Sequence, residues 1–434
     1  MSIQHWFFCT SVALAVPAWA QAPATEVAPA APLASVALTP PIAVSLAQAL
    51  QAARNNLDVS LTQRAFDAAR ADVLSADRAP TPTMTAKTAS IDLQKGVGPG
   101  NALSDKRIDK SIGIDWTWER GNKRELRTRS AQRAAEAAQA DLDEVLVQQQ
   151  LTAVGAYYDL LAAQERITQV QAIALSAGEL ARTAQRRLSA GDLSQQDAAR
   201  SEIEAERAKA DLLAAQADRS RAELMLKQVT HLAGVLAAQA EWPTPSLSMP
   251  QLPEPQIEAR PDVRAAVRRA ETAQAVLESA EALRKNDLTL GTSFDHYPGT
   301  SNRLLEFRVQ MPLAGLFGNY AYQGELGRAT AQLAQAQDLL DKTRLSAALD
   351  IRRLQQDLRA SSERALTYQN AIVPRARQVA SMAELAYSKG AMSLTDLLDA
   401  RRTLRAALLD DVTTRADHAR SLAAWQLRSA APAL

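Results

Sequence analysis

Residues that commonly do chemistry in enzymes are few and widely separated in this 434-residue chain. The three histidines beyond the first twenty residues are His231, His296 and His418, and none stands in the H-E-x-x-H motif of a zinc protease. The sequence has no G-x-x-x-x-G-K-[ST] phosphate loop, and the glycine-rich residues 96–101 contain no lysine. No Cys, His or Met cluster has the spacing of metal ligands. We therefore predict no catalytic residue, no cofactor and no metal site.

The charged residues do not point to a polyanionic partner either. The formal net charge is +1, so bulk electrostatics give no reason to expect nucleic-acid binding. The acidic group Asp141, Asp143 and Glu144 fits the solvated face of a helix better than an acid–base pair. The function must then come from how the elements are arranged.

The N-terminal residues predict export from the cytoplasm. A short apolar stretch ends in Ala18-Trp19-Ala20, the A-x-A pattern of a signal peptide cleaved near Ala20, although no Lys or Arg precedes the stretch. Cys9 is the only cysteine and lies within these residues, so we expect a mature protein without disulfides and without a lipidated cysteine.

The chain contains one unit twice. Ser189, Gly191, Ser194 and Asp197 recur 199 residues later as Ser388, Gly390, Ser393 and Asp396. Helix, strand, strand and long helical hairpin follow one another in each half. The predicted order is a Pro/Ala-rich linker at 21–44, a first repeat at 45–235, a Pro-rich linker at 236–256 and a second repeat at 257–430. Within the repeats we expect strands at about 83–93, 108–118, 287–296 and 303–311, and hairpins at about 121–235 and 318–428.

The predicted strands alternate between apolar and polar residues over a length that suits a membrane. Trp116 and Trp118 lie on one face of the second strand, and Phe294 and Phe307 lie on the matching faces of the third and fourth. We expect these four aromatics to face lipid or its interface. Four strands cannot close a barrel, and open edges are costly in lipid, so several copies must contribute strands to one barrel.

The residues that carry a family resemblance are spread over nearly all of the mature chain. They are WTWERGNKRELRTRSA at 116–131, RPDVRAA at 260–266, VQMPLAGLFGNY at 309–320 and AYSKGAMSLTDLLDARRTL at 386–404. With the duplicated architecture, they resemble the TolC family of outer-membrane efflux proteins. Residues 119–124 are similar to its CzcC-like branch, which serves heavy-metal efflux pumps.

The resemblance implies a mostly α-helical fold with a small membrane β part. Three chains would share a twelve-stranded barrel in the outer membrane and a helical tunnel in the periplasm. The protein would be a passive exit duct for small solutes such as metal cations or drugs, and not an enzyme. Its partners would be a periplasmic adaptor protein, an inner-membrane proton-driven pump of the resistance-nodulation-division type, and outer-membrane lipid.

Site residues follow from the repeat and the resemblance together. We expect the hairpins to reverse at two tips that meet the adaptor, and the repeated glycine phrase to mark irregular positions partway up the returning helices, with Ser194 and Ser393 capping their resumption. Glu384, near Ser381, falls where the family places acids around the narrow entrance, so a ring of Glu384 would attract cations. The expected tip residues are Leu175, Ser176, Ala177, Gly178, Pro374, Arg375 and Arg377.

Two other classes of protein share some of these features. A periplasmic coiled-coil adaptor would have one helical hairpin flanked by Gly- and Val-rich β motifs, whereas this chain has two hairpins and amphipathic strands. A duct for type I protein secretion would have the same fold, and the sequence does not exclude it.

Overall fold

The computed structural model describes residues 41–91, 94, 99, 108–246, 257–297, 301–312 and 321–429. The expected signal peptide, most of the expected linkers at 21–44 and 236–256, and the loop between the first two strands lie outside the described residues. None of the helices in the described ranges is long and apolar enough to cross a membrane.

The first repeat contains four helices and three strands among the described residues. They are β1 (Ile42–Val44), α1 (Leu46–Ala53), α2 (Leu57–Ala76), β2 (Thr83–Ala89), β3 (Asp109–Trp118), α3 (Lys123–Ser189) and α4 (Gln195–Thr230). Residues 45–79 have the periodicity of one helix but form two. Asn56 separates them, because its side chain caps α2 by accepting from Asp58 N at 2.9 Å while its amide donates to Val229 O at 2.8 Å.

The second repeat follows the same order in the described part of the chain. Strand β4 (Leu236–Ala238) precedes it, and a short 3₁₀ turn (Ile257–Ala259) opens it. Its elements are α5 (Pro261–Ala282), β5 (Leu288–Tyr297), β6 (Ser301–Gln310), α6 (Gln323–Thr367), a π-helical turn (Tyr368–Ile372), α7 (Val373–Ser388) and α8 (Leu394–Ser429).

The ends of both expected linkers are ordered strands. β1 and β4 pair in parallel, with Ile42 opposite Leu236 and Val44 opposite Ala238. Val44 and Leu236 are fully buried against Tyr157 and Leu160 of α3. Thus both linker predictions were wrong at 42–44 and at 236–238, where apolar side chains complete a core.

The remaining strands form one antiparallel sheet in the order β2-β3-β5-β6. The register places Ile112 opposite Phe294, and Phe294 opposite Leu305. Even and odd positions therefore sort into one apolar and one mainly polar face, as the alternation predicts. The centre of the sheet joins β3 of the first repeat to β5 of the second.

The first hairpin reverses at residues 190–194. α3 is one uninterrupted helix of 67 residues, which at 1.5 Å per residue extends about 100 Å. Ala153 packs against Val229, and Ala177 against Ala205, and each pair lies symmetrically about Gly191. The expected tip at Leu175–Gly178 was wrong. Gly178 does not end α3 because a glycine inside a helix costs only about 1 kcal/mol, which surrounding packing easily offsets.

The second hairpin reverses at residues 389–393 and not at Pro374. Ala383 packs against Leu398, and Val373 against Ala407, on either side of Gly390. Pro374 lacks the N–H that would complete a helical bond, and the chain adapts with the π-helical turn just before α7. The helix thus continues past Pro374, which corrects the second tip prediction.

Candidate functional site

The apolar face of the four-stranded sheet has no cover among the described residues. Trp116, Trp118 and Phe294 are each about half exposed, and Phe307 is 78% exposed. Their strand neighbours on the same face share this exposure: Met84, Ile112, Ile114, Leu290, Leu305 and Val309. A contiguous apolar face of this kind fits contact with lipid or a partner better than contact with water.

The opposite face of the sheet carries an ion pair that spans three strands. Arg308 of β6 binds the Asp115 carboxylate of β3 at 2.5 Å, although β5 lies between them. The residue of β5 in that row is Gly291, which pairs with both Asp115 and Arg308 in the register. The Thr85 hydroxyl also donates to Asp115 at 3.0 Å. The absence of a side chain at position 291 makes room for the guanidinium.

The repeated glycine phrase forms the two hairpin tips. Gly191 and Gly390 have φ of +81° and +74°, a left-handed conformation that favours glycine. Ser194 caps α4, and Ser393 immediately precedes α8. Each hydroxyl accepts from the backbone N–H three residues on, that of Asp197 at 3.1 Å and that of Asp396 at 3.2 Å. Each serine thus caps the helix that follows its glycine. The expected position partway up the returning helices was wrong, because these residues are the turns themselves.

Residues expected at the tips lie well inside the helices instead. Leu175 is exposed on α3, and Ala177 is buried against α4. The Ser176 carbonyl accepts from Arg401 of α8 at 3.4 Å. In α7, Arg375 and Arg377 are exposed on different sides of the helix.

Glu384 is an ion-paired carboxylate in this structure. Its Oε1 accepts from both Nη2 and Nε of Arg401, at 2.8 and 3.1 Å. The neighbouring Ser381 is exposed and donates its hydroxyl to Gln378 O within the same helix. The sequence analysis did not predict that Arg401 pairs with Glu384. The signal available was the basic pair Arg401-Arg402 in α8, the helix that follows the one carrying Glu384.

Arginines of α8 bind acids of the first hairpin along most of its length. Arg402 binds Glu204 of α4 at 2.9 Å, and Arg428 holds Glu144 of α3 through two bonds of 2.8 Å. Between these two pairs the same helix contributes three more: Arg405–Asp211, Arg415–Glu165 and Arg420–Asp159. The first hairpin thus presents acids and the second presents arginines. The sequence signal that could have revealed this charged seam, the row of ion pairs between the two hairpins, is the presence of acids in α3 and α4 and arginines in α8 at similar distances from the tips.

The pair Glu165–Arg415 also fixes the segment after β4. Trp242 donates its indole N–H to Glu165 at 2.9 Å, and the Arg415 guanidinium lies 5.2 Å from the Trp242 ring centre. Asp411 binds Arg415 at 3.1 Å from one turn below. Burial raises the pKa of Asp411 above its ordinary value, despite the opposing effect of Arg415. Burial likewise raises the pKa of Asp159.

These arrangements suit a protein whose copies assemble into a conduit. Within the described ranges, no group of three or more His, Cys, Asp or Glu side chains could hold a metal ion. The structural features that these residues do form are an exposed apolar sheet face, a polar sheet face with a cross-strand ion pair, and two long hairpins joined by ion pairs.

Comparison with known proteins gives a consistent answer. No protein-family model matches the chain. The cobalt-zinc-cadmium resistance protein CzcC of Cupriavidus metallidurans is 27% identical over 356 residues, which cover 81% of this chain and 82% of CzcC. The pyoverdine export outer membrane protein OpmQ of Pseudomonas putida is 29% identical over 171 residues, or 38% of this chain and 36% of OpmQ.

Solved structures agree over most of the chain. CusC, whose structures concern folding and transmembrane channel formation, superposes with a TM-score of 0.75 at 15% identity over 88% of this chain and 91% of CusC. The Campylobacter jejuni outer membrane channel CmeC gives 0.75 at 17% identity, over 88% and 85% of the two chains. This chain is therefore similar to CzcC over most of both sequences and has the fold of the TolC-like outer-membrane channels.

Proposed function

We propose that this chain is the outer-membrane exit duct of a tripartite efflux pump and that it passively exports small solutes. The observation that carries the proposal is the exposed apolar face of the sheet, on a chain that also has two long helical hairpins. The sheet provides a surface for outer-membrane lipid, and the hairpins provide walls for a periplasmic conduit. The energy for export would come from an inner-membrane proton-driven pump, and a periplasmic adaptor would connect that pump to this chain.

The geometry of the sheet supports assembly from several copies. β2 and β6 are its outer strands, and all three pairings within it are antiparallel. With an even number of strands, β6 of one copy runs antiparallel to β2 of the next, so identical copies continue the sheet without a break in pattern. Three copies give twelve strands, and closure removes both edges, which lipid requires. A homotrimer with a shared barrel is therefore the assembly we propose.

The hairpin tips are the surface we propose for the adaptor. Residues 190–194 and 389–393 are the turns farthest along each hairpin from the sheet. Each has small or polar side chains around a left-handed glycine and one larger apolar residue, Leu193 or Met392. Their equivalent geometry in the two repeats gives a trimer six similar tips. An adaptor built from a single repeated element could bind all six.

At the entrance, we propose that Glu384 acts together with Arg401. An unpaired ring of Glu384 would attract cations strongly, whereas the ion pair at 2.8 Å offsets part of that charge. The Glu384→Gln variant should reduce cation preference in a planar bilayer only modestly, and Arg401→Gln should increase it. Unchanged selectivity in both variants would contradict this role.

The proposed cargo is divalent metal cations. This rests on the similarity over most of both chains to CzcC, which is a cobalt-zinc-cadmium resistance protein. The described residues hold no metal cluster, and a conduit works best without a tight site that would retain its cargo.

A deletion strain tests the proposal. Removing the chain should lower the concentrations of zinc, cobalt and cadmium that inhibit growth, and the wild-type chain should restore them. A variant with Phe307→Asp and Val309→Asp, which places charge on the apolar sheet face, should be expressed but fail to restore resistance or enter the outer membrane. Loss of a secreted protein with unchanged metal resistance would favour a type I secretion duct instead.

A further inference from the structure

The apolar face of the four-stranded sheet ends in a row of basic side chains. On β3, Lys110 follows Ile112 on this face, and the register places His296 of β5 directly opposite Lys110. On β6, Arg303 lies two residues before Leu305, where the register between β5 and β6 shifts. Lys110, His296 and Arg303, which we call the basic row, thus lie side by side on three adjacent strands.

The two faces of the sheet differ in the sign of the charges they carry. In the described strands β2, β3, β5 and β6, the ionisable side chains on the apolar face are those of the basic row. The acids of these four strands all lie on the polar face: Asp109, Asp115, Asp295 and Glu306. An anion at this end of the apolar face would therefore meet cations and N–H donors without a carboxylate on the same face.

Two members of the basic row lack a counter-charge among the described residues. The ammonium nitrogen of Lys110 is buried and forms no hydrogen bond with a described residue. Arg303 is exposed and forms no ion pair with a described residue. On the polar face, by contrast, Arg308 binds Asp115. A buried ammonium group without a partner is unfavourable, so an anion bound at this row would stabilise it.

The basic row lies at the end of the sheet away from the long helices. β3 runs from Asp109 to Trp118 and leads into α3 at Lys123, so Lys110 is at the far end of the strand. A tilted strand of about 9–11 residues spans the hydrocarbon core of a bilayer. With the apolar face in the outer membrane, the Trp118 end therefore lies at the periplasmic interface. The basic row then lies among the headgroups of the outer leaflet.

We propose that the basic row binds the phosphate groups of a lipid headgroup in the outer leaflet, namely those of a phosphorylated glycolipid of the lipid A class. The planar guanidinium of Arg303 can donate two parallel N–H groups to one phosphate, and Lys110 supplies a point charge. The ring of His296 can donate a further N–H. The inference rests on the placement of the apolar face in the outer membrane under the proposed function, and it specifies the lipid that this face recognises.

Lipid binding to the oligomer purified in a neutral detergent tests the proposal. Native mass spectrometry should show tighter binding of bisphosphorylated lipid A than of the monophosphorylated form, and weaker binding still of phosphatidylcholine. Lys110→Gln and Arg303→Gln should each weaken binding of bisphosphorylated lipid A about fivefold, the effect of one cation near an anionic lipid surface. Lys110→Arg keeps the charge and should retain binding. The matched control is Lys87→Gln, which removes a cation from the polar face of β2, opposite Ser111, and should bind as the wild type does.

Salt provides a readout that needs no variant and holds even if a variant fails to assemble. Because the contact joins opposite charges, added sodium chloride should weaken lipid A binding to the wild type. The proposal is overturned if salt has no effect, if phosphatidylcholine binds as tightly as lipid A, or if Lys87→Gln weakens binding as much as Lys110→Gln. Displacement of the lipid by millimolar inorganic phosphate would also overturn it, because the row would then be a site for free phosphate. A wild-type chain absent from the outer membrane would instead contradict the proposed function.

Discussion

Arg308 of β6 reaches Asp115 of β3 across an intervening strand, because the residue between them is Gly291. A Cβ at position 291 would collide with the Asp115 carboxylate and lie 3.3 Å from two guanidinium nitrogens of Arg308. The ion pair thus depends on a missing side chain. It also ties the last strand of the second repeat to the last strand of the first.

We expect Gly291→Ala to break this connection. The variant should assemble less well, and its oligomer should dissociate on a gel at a temperature several degrees below that of the wild type. Gly327→Ala in α6 is the control for an added methyl group, since nothing lies within 4 Å of it, and at a helical position it should leave the oligomer at least as stable as the wild type. Equal dissociation temperatures in the two variants would show that the cross-strand pair contributes nothing to assembly.

The tip glycines should respond to alanine in the opposite way from a glycine within a helix. Gly390 has φ of +74°, so Gly390→Ala should cost about 1–2 kcal/mol in the free energy of unfolding. Gly178 lies in α3 with no atom within 4 Å of an added Cβ, so Gly178→Ala should gain roughly 0.5–1 kcal/mol. Chemical denaturation of the purified proteins measures both. If Gly178→Ala were destabilised instead, the result would favour a hairpin tip at residues 175–178 over one at residues 190–194.

The architecture of the repeats could be predicted from the sequence because it depends on local periodicity. Alternation from residue 109 to 118 fixed a strand and its apolar face, and the long Ala- and Leu-rich stretches fixed the helices. The serine caps were predictable for the same reason, since Ser194 and Ser393 bond only three residues along the chain. Such features need no knowledge of distant contacts.

Positions that depend on competition between local signals were not predictable. Pro374 and Gly178 are helix breakers by propensity, but α3 continues through Gly178, and a π-helical turn accommodates Pro374. The short strand at 236–238 became visible only when its partner at 42–44 was placed beside it. Pairs such as Glu384–Arg401 join residues of different helices, and no spacing rule links them.

Removing Arg415 should loosen the contact between the two hairpins. Its side chain binds Glu165 and Asp411 and lies over Trp242, and only 21% of it is exposed. Arg415→Met leaves two neighbouring carboxylates without their cation, and we expect a loss of about 2–3 kcal/mol in unfolding free energy, since the site is only partly buried.

A double variant separates lost attraction from lost packing. With Glu165→Gln added, the repulsion between the carboxylates is relieved, so Arg415→Met should cost less in that background than in the wild type. Denaturation midpoints of the four proteins at neutral pH provide the comparison. An equal cost in both backgrounds would mean that the pair with Glu165 contributes nothing and that Arg415 acts through Asp411 and its packing on Trp242.

His418 should make the protein less stable as the pH falls below about 6.5. Its side chain is only 2% exposed, its Nδ1 lies 3.1 Å from the Ser362 hydroxyl, and burial lowers its pKa from the ordinary value of 6.5. Below pH 6.5 the unfolded chain therefore binds a proton that the folded chain does not, which favours unfolding. The stabilising contribution is complete above that pH and falls by up to about 1.4 kcal/mol per pH unit below it.

His418→Gln should remove this slope, whereas the exposed His231→Gln should retain it. Asp159 and Asp411 act in the opposite direction at lower pH, because burial raises their pKa values and the folded chain then binds their protons more tightly. The difference between each variant and the wild type cancels those contributions. Unfolding free energies measured from pH 7.5 down to 5 should converge for His418→Gln and the wild type at acidic pH. Parallel curves would show that His418 is protonated in the folded protein as readily as in the unfolded chain.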